Sequence, residues 1–384
     1  MNRHRLLKTV TVSMVAVTAV SLAGCAQTST ASPDKGATKA LSVFISGGAN
    51  IQELWEKSLI PAFEKENKGY TVKVTLDLHG EHDQQTIAKL TSATQQKKDP
   101  GYDLVDGGFI TQISAAGLLT PVSSTNIKNL ANVPASTLKA GGTSGIPYRG
   151  SSVLLAYDSE KVPTPPKTLD DLLAWIKANP GKFTYNSPNT GGSGGAFVTT
   201  VLDKFVPPAD REKMVTSYAK DLEKDWDQGF ALLASLNPYI YQKGLYMNGN
   251  VATIDLLGSG QIWMAPIWSD QLLSGLKSGQ LAATTKYTQI SNPSMTGGAA
   301  YLGIPKTSTH QAAAITLANW LLTPEAQTLI VNSVDGYPVI NADLLPQDIQ
   351  TKFAGTGSDD LRLTYFSSMG KDMNNIWSQT VPGK

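Results

Sequence analysis

A glycine-rich stretch between Ser187 and Leu202 has the residue types from which anion-binding sites are built. Its sequence, SPNTGGSGGAFVTTVL, places four glycines between Asn189 and an apolar run that can continue as a helix. Glycine permits positive φ and close backbone approach, and Ser193 is a suitable N-cap, so the pattern predicts a loop leading into a helix with free amides. Such amides bind an anion or a hydroxyl-rich ligand. A flexible surface loop is the alternative, because glycine-rich runs are often only loops.

Other polar and aromatic side chains lie where predicted strands end. An arginine there can form a bidentate pair with a carboxylate or phosphate, a tryptophan face can stack on a ring or a cation, and an aspartate can hold a positive group. An ordinary turn, a solvated charge or a buried tyrosine edge is the structural alternative at these positions. The candidate ligand contacts are Ser46, Gly47, Asn50, Tyr148, Arg149, Ser187, Asn189, Gly192, Ser193, Gly194, Trp268, Asp270 and Tyr301.

Strands that alternate with helices must position these side chains. Strands are predicted at 41–45, 70–78, 103–106, 151–157, 183–185, 261–265 and 299–304. Helices are predicted at 51–68, 84–96, 169–178 behind a Thr168 cap, 210–235, 250–259, 310–322 and 324–333. This alternation predicts an α/β fold with a mainly parallel sheet, whose ligand sites lie in the loops after strands. The loops at 46–50, 106–109 and 266–270 are such places.

The first residues indicate export. Arg3, Arg5 and Lys8 precede an apolar run at 10–20, which is too short for a spanning helix and is typical of a signal peptide. The segment 1–24 ends in Leu-Ala-Gly directly before Cys25, and these residues match a bacterial lipobox. Cys25 is thereby predicted to be lipidated. The polar segment 25–39 is predicted to be a flexible tether.

Composition excludes several classes of function. The chain has one cysteine, so it has no internal disulfide, and its formal net charge of +1 includes no basic stripe for nucleic acid. The cluster at 79–83, with His79, His82 and Asp83, lacks the spacing of a metal site, although His79 or Asp83 could face a ligand. Nucleophile-elbow, zincin and Walker motifs are absent. We therefore predict no metal, no cofactor and no catalytic residue.

An ordered series of segments along the mature chain resembles a known family. The segments are the lipobox, LIPAFEKENKGYTVKV, IPYRGSSVLLAYDSEKVPTPPKTLDDLLAWI, GQIWMAPIWSD and YLGIPKTSTHQAAAITLANWLLTPEAQ. The series is similar to extracellular solute-binding proteins (family 1) of bacterial ABC importers, in the branch of thiamine, iron and polyamine binders. The resemblance implies a two-lobed type II periplasmic-binding-protein fold with discontinuous lobes. Lobe 1 would comprise 40–154 and 295–338, and lobe 2 would comprise 155–294 and 339–384.

The resemblance also implies a function. The protein would capture a small polar solute in the interlobe cleft and deliver it to an ABC permease, as a monomer anchored to the cell membrane by lipidated Cys25. The solute could be a sugar or a thiamine-like, phosphorylated or zwitterionic compound. An exported α/β hydrolase acting on a small carbohydrate or ester is the alternative from another class.

Overall fold

The computed structural model describes residues 39–78, 80, 82–353 and 361–382. The predicted signal at 1–24, Cys25, nearly all of the predicted tether and His79 therefore lie outside the described residues. Of the helices in the described ranges, none is long and apolar enough to cross a membrane.

Seven strands of the described chain form one mixed sheet. They are β1 Lys39–Gly47, β2 Tyr70–Leu78, β3 Leu104–Asp106, β4 Ile146–Asp158, β5 Met264–Trp268, β6 Thr285–Thr288 and β7 Gly297–Gly303. Their order across the sheet is β2-β1-β3-β7-β4-β5, and β6 pairs with β4 outside that order. Strands β2 and β3 run parallel to β1, whereas β7 runs antiparallel to β3 and β4, and β4 runs antiparallel to β5 and β6. The prediction of a mainly parallel sheet is therefore wrong.

Fifteen α-helices accompany these strands in the described residues. The first nine are α1 Ala49–Glu53, α2 Ile60–Glu66, α3 Asp83–Gln96, α4 Ile110–Ala115, α5 Ala135–Ala140, α6 Leu169–Ala178, α7 Gly192–Leu202, α8 Pro208–Thr216 and α9 Asp227–Ser235. The others are α10 Asn250–Gly258, α11 Ser269–Ser278, α12 Gln311–Leu321, α13 Pro324–Val334, α14 Gln347–Lys352 and α15 Ser367–Thr380. A π-helical segment, Leu54–Leu59, joins α1 to α2, and short 3₁₀ turns occur at Lys128–Asn132, Lys220–Trp226, Asn237–Tyr239, Tyr241–Lys243 and Ala342–Leu344.

Local signals placed some of these elements correctly. Helix α6 has the predicted bounds, and Thr168 caps it through a capping box in which its side chain accepts from the amide of Asp171. Other predictions are wrong. The segment 183–185 makes only isolated bridges, and the predicted loop at 266–270 is instead the end of β5 followed directly by the start of α11.

Strand β4 belongs to both halves of the sheet. Its part up to Ser152 pairs with β7, and its part from Val153 onward pairs with β5 and β6. Successive side chains of a strand point to opposite faces, and accordingly Val153 and Leu155 enter one apolar cluster while Leu154 and Ala156 enter another. One continuous strand thus carries the chain from one half of the protein to the other.

Two large hydrophobic cores lie on these two halves. The first core contains Trp55 and Phe63 and packs on the half formed by β1 and the start of β4. The second core contains Trp226 and Trp377 and packs on the half formed by the end of β4 and β5. Because residues of β4 enter both cores, the described chain forms two halves that are joined through the sheet.

The packing after residue 338 departs from the predicted division of the chain. The apolar residues that follow lie in the first core, although the sequence assigns 339–384 to lobe 2; they are Val339, Ile340, Leu345 and Ile349. Tyr365 and Met369 are the next to enter the second core. The change of core therefore falls between residues 349 and 365.

A buried ionic cluster fixes the segment before α15 to the end of α7. The Asp203 side chain is 1% exposed and accepts hydrogen bonds from Arg211 Nε at 2.8 Å and from the Tyr365 hydroxyl at 2.5 Å. Arg362 pairs with the same carboxylate, and its Nε donates to the carbonyl of Ser294 at 2.5 Å. Burial lowers the pKa of Arg362. Since a buried charge must be paired, both arginines depend on Asp203.

We expect Asp203→Asn to lower the free energy of unfolding by about 3 kcal/mol, the low end for a buried pair, because two arginine side chains that are 22% and 16% exposed lose their carboxylate. Asp170→Asn is the matched control, since the Asp170 side chain is 68% exposed in its pair with Lys204; its cost should stay below about 1 kcal/mol. Urea unfolding followed by circular dichroism measures both. Equal losses in the two variants would contradict a supporting role for the cluster.

Candidate functional site

A hydrogen bond joins the first half of the protein to the second at the end of β1. Ser46 and Gly47 are the last residues of β1, and Asn50 is the second residue of α1. The side-chain amide of Asn50 donates to Oδ2 of Asp270 at 2.9 Å. Asp270 is the second residue of α11, which packs against β4 and β5. Two of the predicted ligand contacts therefore contact each other.

The carboxylate of Asp270 has protein donors on both oxygens. Its Oδ1 accepts from the hydroxyl of Ser151 at 2.6 Å, and Oδ2 accepts from Asn50. The Ser151 hydroxyl also lies 3.2 Å from that of Ser269. Because Asp270 is only 6% exposed, its charge depends on these bonds rather than on water.

Tyr148 and Arg149 form a neutralised cluster with Asp106. The Tyr148 ring is fully buried against Trp55, its hydroxyl donates to Oδ2 of Asp106 at 2.6 Å, and Arg149 Nε donates to that hydroxyl at 2.8 Å. Arg149 Nη2 lies 3.9 Å from Asp106 Oδ2. Burial raises the pKa of Asp106, and Arg149 opposes the rise. The positive charge expected to hold an anion thus already has a carboxylate partner.

The predicted N-cap role of Ser193 is wrong. Helix α7 begins at Gly192 with Gly191 as its N-cap, so Ser193 lies inside the first turn. The prediction of free amides is also wrong at two positions. The amide of Gly194 donates to Oδ1 of Asn186 at 2.9 Å, and the amide of Ser193 donates to Oδ1 of Asn250 at 3.4 Å. Side-chain carbonyl oxygens of the protein take the place that an anion would occupy.

Gly192 and Gly194 allow other groups to approach the helix. A Cβ on Gly192 would lie 2.9 Å from Cζ2 of Trp268, and a Cβ on Gly194 would lie 1.8 Å from the carbonyl oxygen of Asn186. Trp268 is the last residue of β5 and packs at the margin of the second core. The indole therefore lies against the first turn of α7, and the glycines are required by this packing.

The remaining predicted contacts are bonded within one half of the molecule. The amide of Ser187 donates to the carbonyl of Met247 at 2.9 Å, and exposed Asn189 donates to the carbonyl of Asn374 at 3.3 Å. The hydroxyl of Tyr301 donates to a main-chain carbonyl of α5 at 2.8 Å. Burial raises the pKa of Tyr301 above its usual value. The bonds of these residues do not bring them to the Asn50–Asp270 contact.

Three carboxylates lie at the carboxyl edge of the parallel part of the sheet. Asp77 and Asp106 are near the ends of β2 and β3, and Asp83 begins α3. Asp77 Oδ1 lies 2.9 Å from His82 Nδ1. Burial raises the pKa of Asp83 to about 6; a hydrogen bond from Ser46 opposes this, and the charges of Asp77 and Asp106 add to it. The Oδ1 atom of Asp83 is buried and has no hydrogen-bond partner among the described residues.

A family model described as bacterial extracellular solute-binding protein matches residues 58–354. The chain belongs to that family. Protein YnjB of Escherichia coli (strain K12) is 30% identical over 189 residues, which are 47% of this chain and 46% of that protein. The alignment thus spans about half the length of this curated relative.

Solved structures share the fold. A putative extracellular solute-binding protein from Bordetella parapertussis has a TM-score of 0.68 at 17% identity, covering 89% of this chain and 99% of that chain. A spermidine/putrescine ABC transporter substrate-binding protein from Streptococcus pneumoniae has a TM-score of 0.62 at 16% identity, covering 88% and 99%. These likenesses confirm the predicted two-lobed type II periplasmic-binding-protein fold.

Membership of the family confirms the prediction of a solute-binding protein and places it outside the cytoplasm. None of these findings supports the hydrolase alternative. The contact between Asn50 and Asp270 joins the two halves of the protein, and the Arg149 guanidinium beside Asp106 also interacts with the charge of Asp270.

Sequence reasoning missed two residues of this solute-binding protein that matter in the site. Ser151 was predicted only as part of a strand, yet it binds Asp270; Asp106 was predicted at the start of a strand-end loop but was not among the candidate contacts, yet it binds Tyr148. The position of Asp106 directly after buried Val105 was an available signal, because an acid that ends a buried strand has to find a partner.

We expect Gly194→Ala to destabilise the solute-binding protein by about 1–3 kcal/mol, because the new methyl group meets the Asn186 carbonyl and the first turn of α7 must shift. Gly195→Ala is the matched control, since a Cβ there lies 4.0 Å from its nearest neighbour in the same helical turn. That change should be neutral, or stabilising by about 0.5–1 kcal/mol through helix propensity. Thermal unfolding compares them, and equal effects would refute the packing role.

Proposed function

We propose that this protein captures a small solute bearing a positive charge, thiamine-like or zwitterionic, between its two lobes and delivers it as a monomer to an ABC permease. The observation that carries the charge assignment is the carboxylate of Asp83, whose buried Oδ1 has no partner in the described chain. An unpartnered buried carboxylate oxygen is unfavourable, and an ammonium or other cationic donor relieves it.

The balance of charge around the cleft supports a cation. Asp77, Asp83, Asp106 and Asp270 are carboxylates, and Arg149 is the cation that lies among them. Arg149 lies 3.9 Å from Asp106 and donates from Nε to Tyr148, so a carboxylate already offsets its charge. The net field in this region attracts a positive solute, and it disfavours a solute whose only charged group is a phosphate.

The glycine stretch gives the second line of support. A phosphorylated solute would use free amides at the start of α7, but Asn186 and Asn250 accept from the amides of Gly194 and Ser193. Replacing those internal bonds by bonds to a solute yields no net gain in hydrogen bonding. Trp268 beside Gly192 remains a stacking surface for a ring or for the aliphatic part of an amine.

Uptake would proceed by closure of the lobes. The strand pairing and the cores support a first lobe of 40–152 and 297–353 and a second lobe of 153–296 and 361–382. A solute that contacts both lobes favours the closed form by its differential affinity, and the closed form then engages the permease. No chemical step is required of the protein, so we propose that it is not an enzyme.

We expect thiamine, putrescine or a zwitterionic amine to raise the melting temperature of the purified protein, whereas inorganic phosphate and neutral sugars leave it unchanged. At a free solute concentration one hundred times Kd, binding adds about 2.7 kcal/mol to the stability. Thermal-shift screening at pH 7 is the measurement. Stabilisation by phosphate or sugars alone would overturn the charge assignment while leaving solute binding intact.

A bound cation should also lower the pKa of Asp83 from its value of about 6 in the free protein. Near pH 6 binding should therefore release protons, and affinity should rise from pH 5 to 7. Calorimetry in two buffers with different ionisation enthalpies detects this release. In Asp83→Asn the release should vanish and affinity should fall about tenfold, whereas the exposed-site control Asp348→Asn should bind and release protons like the unmodified chain.

For the membrane anchor, we propose that Cys25 carries the lipid. Expressed in a bacterium, the full chain should incorporate labelled palmitate and partition with membranes, and Cys25→Ser should lose the label. Two acyl-type anchors hold a protein stably at a bilayer, whereas one holds it only reversibly. Equal palmitate incorporation in both chains would contradict this assignment.

A further inference from the structure

The bond between Asn50 and Asp270 links residues 220 positions apart in the chain and closes the gap between the two lobes. We propose that it is a latch that stabilises the closed arrangement of the lobes, and that Asp270 serves this latch instead of binding the solute. The effect on uptake rests on the proposed function, but the latch itself is a property of the free protein.

The bonding of Asp270 supports this assignment. Its Oδ1 accepts from Ser151 at 2.6 Å and its Oδ2 accepts from Asn50 at 2.9 Å, and the residue is 6% exposed. Ser151 belongs to β4, just before that strand changes its pairing partners. Oδ1 of Asp270 is therefore bonded to the strand that joins the two halves of the protein. Oδ2 is bonded to the opposite lobe, so each carboxylate oxygen already accepts one hydrogen bond from the protein.

The backbone before α1 is adapted to this contact. Gly48 is the N-cap of α1, and a Cβ added there would lie 2.6 Å from Oδ1 of Asn50. The φ of Gly48 is −91°, which any residue can adopt, so an added methyl group would cause no backbone strain but would require the Asn50 side chain to move. The glycine therefore leaves room for Asn50 to turn toward Asp270. Gln271, next to Asp270, lies 3.6 Å from the same Cβ position.

The latch affects binding through the population of the closed form. If the conformation that binds the solute is rarely populated, the apparent affinity falls, since the apparent Kd is the intrinsic Kd divided by the fraction of protein in that conformation. If the closed form is the competent one, the latch raises affinity; if entry requires opening, it slows association. In either case Asn50 and Asp270 are positioning residues whose removal changes the distance between the lobes.

Double electron–electron resonance measures the distance between spin labels on the two lobes and so tests the latch without any solute. Labels at Lys57→Cys and Lys277→Cys occupy exposed positions on the segment after α1 and on α11, and Cys25→Ser in the full chain restricts labelling to them. The parent should show a population at the short distance of the latched, closed form beside the longer distance of the open form. Asn50→Asp opposes two carboxylates and should reduce the ratio of short to long distances about tenfold. Gly48→Ala should act in the same direction without a change of charge.

Gln52→Ala is the control, because Gln52 lies on the same helix and bonds exposed Glu56 instead of the other lobe. It should keep the parent distances, and the melting temperatures of all variants verify that they are folded. The latch would be overturned if the two labels in the parent showed only a long distance, or if Asn50→Asp left the distances between the labels unchanged. Neither result depends on the solute, so failure to bind amines and failure of the latch are separate outcomes.

Discussion

The continuous strand β4 is the constraint on which the rest of the structure depends. Its residues must satisfy the first core before Ser152 and the second core after it, while pairing with β7, β5 and β6. Past Ser152 both faces of the strand are apolar, with Val153 and Leu155 in the second core and Leu154 and Ala156 in the cluster on the other face, so a slip by one residue would exchange the two sets. The pairing partners change between Ser152 and Val153, and Ser151 beside that point binds Asp270.

The three arginines in the described part of the chain are partly buried and share one arrangement. Asp203 pairs with Arg211 and Arg362, and Asp106 pairs with Arg149, so each has a carboxylate partner. These clusters lie where chain segments from different parts of the sequence meet, and each replaces water with fixed donors. Asp83 differs, because burial raises its pKa and its buried Oδ1 has no partner among the described residues. Under the proposed function, a cationic group of the solute would take that place.

The sequence predicted what is decided locally and failed where partners are remote. The alternation of β2 and the Thr168 cap of α6 depend on neighbours a few residues away, and both predictions are confirmed. The direction of strand pairing has no periodic signature, so the mainly parallel sheet was wrong. The free amides of α7 were wrong for a similar reason. Asn250, which accepts from the Ser193 amide, is 57 positions distant, and no residue near the glycines predicts this contact.

The corrected role of the glycines moves specificity to the other lobe. If Gly192 and Gly194 serve to bring α7 against Trp268 and Asn186, the helix start is rigid and already bonded, and it contributes shape instead of charge. Asp270 likewise has a protein donor on each oxygen, Ser151 and Asn50. Under the proposed function, recognition of charge then falls to Asp83 in the first lobe, whose buried Oδ1 has no partner among the described residues. We propose that a solute with a cationic end and an apolar or aromatic body fits this division, because the Trp268 indole lies beside the start of α7.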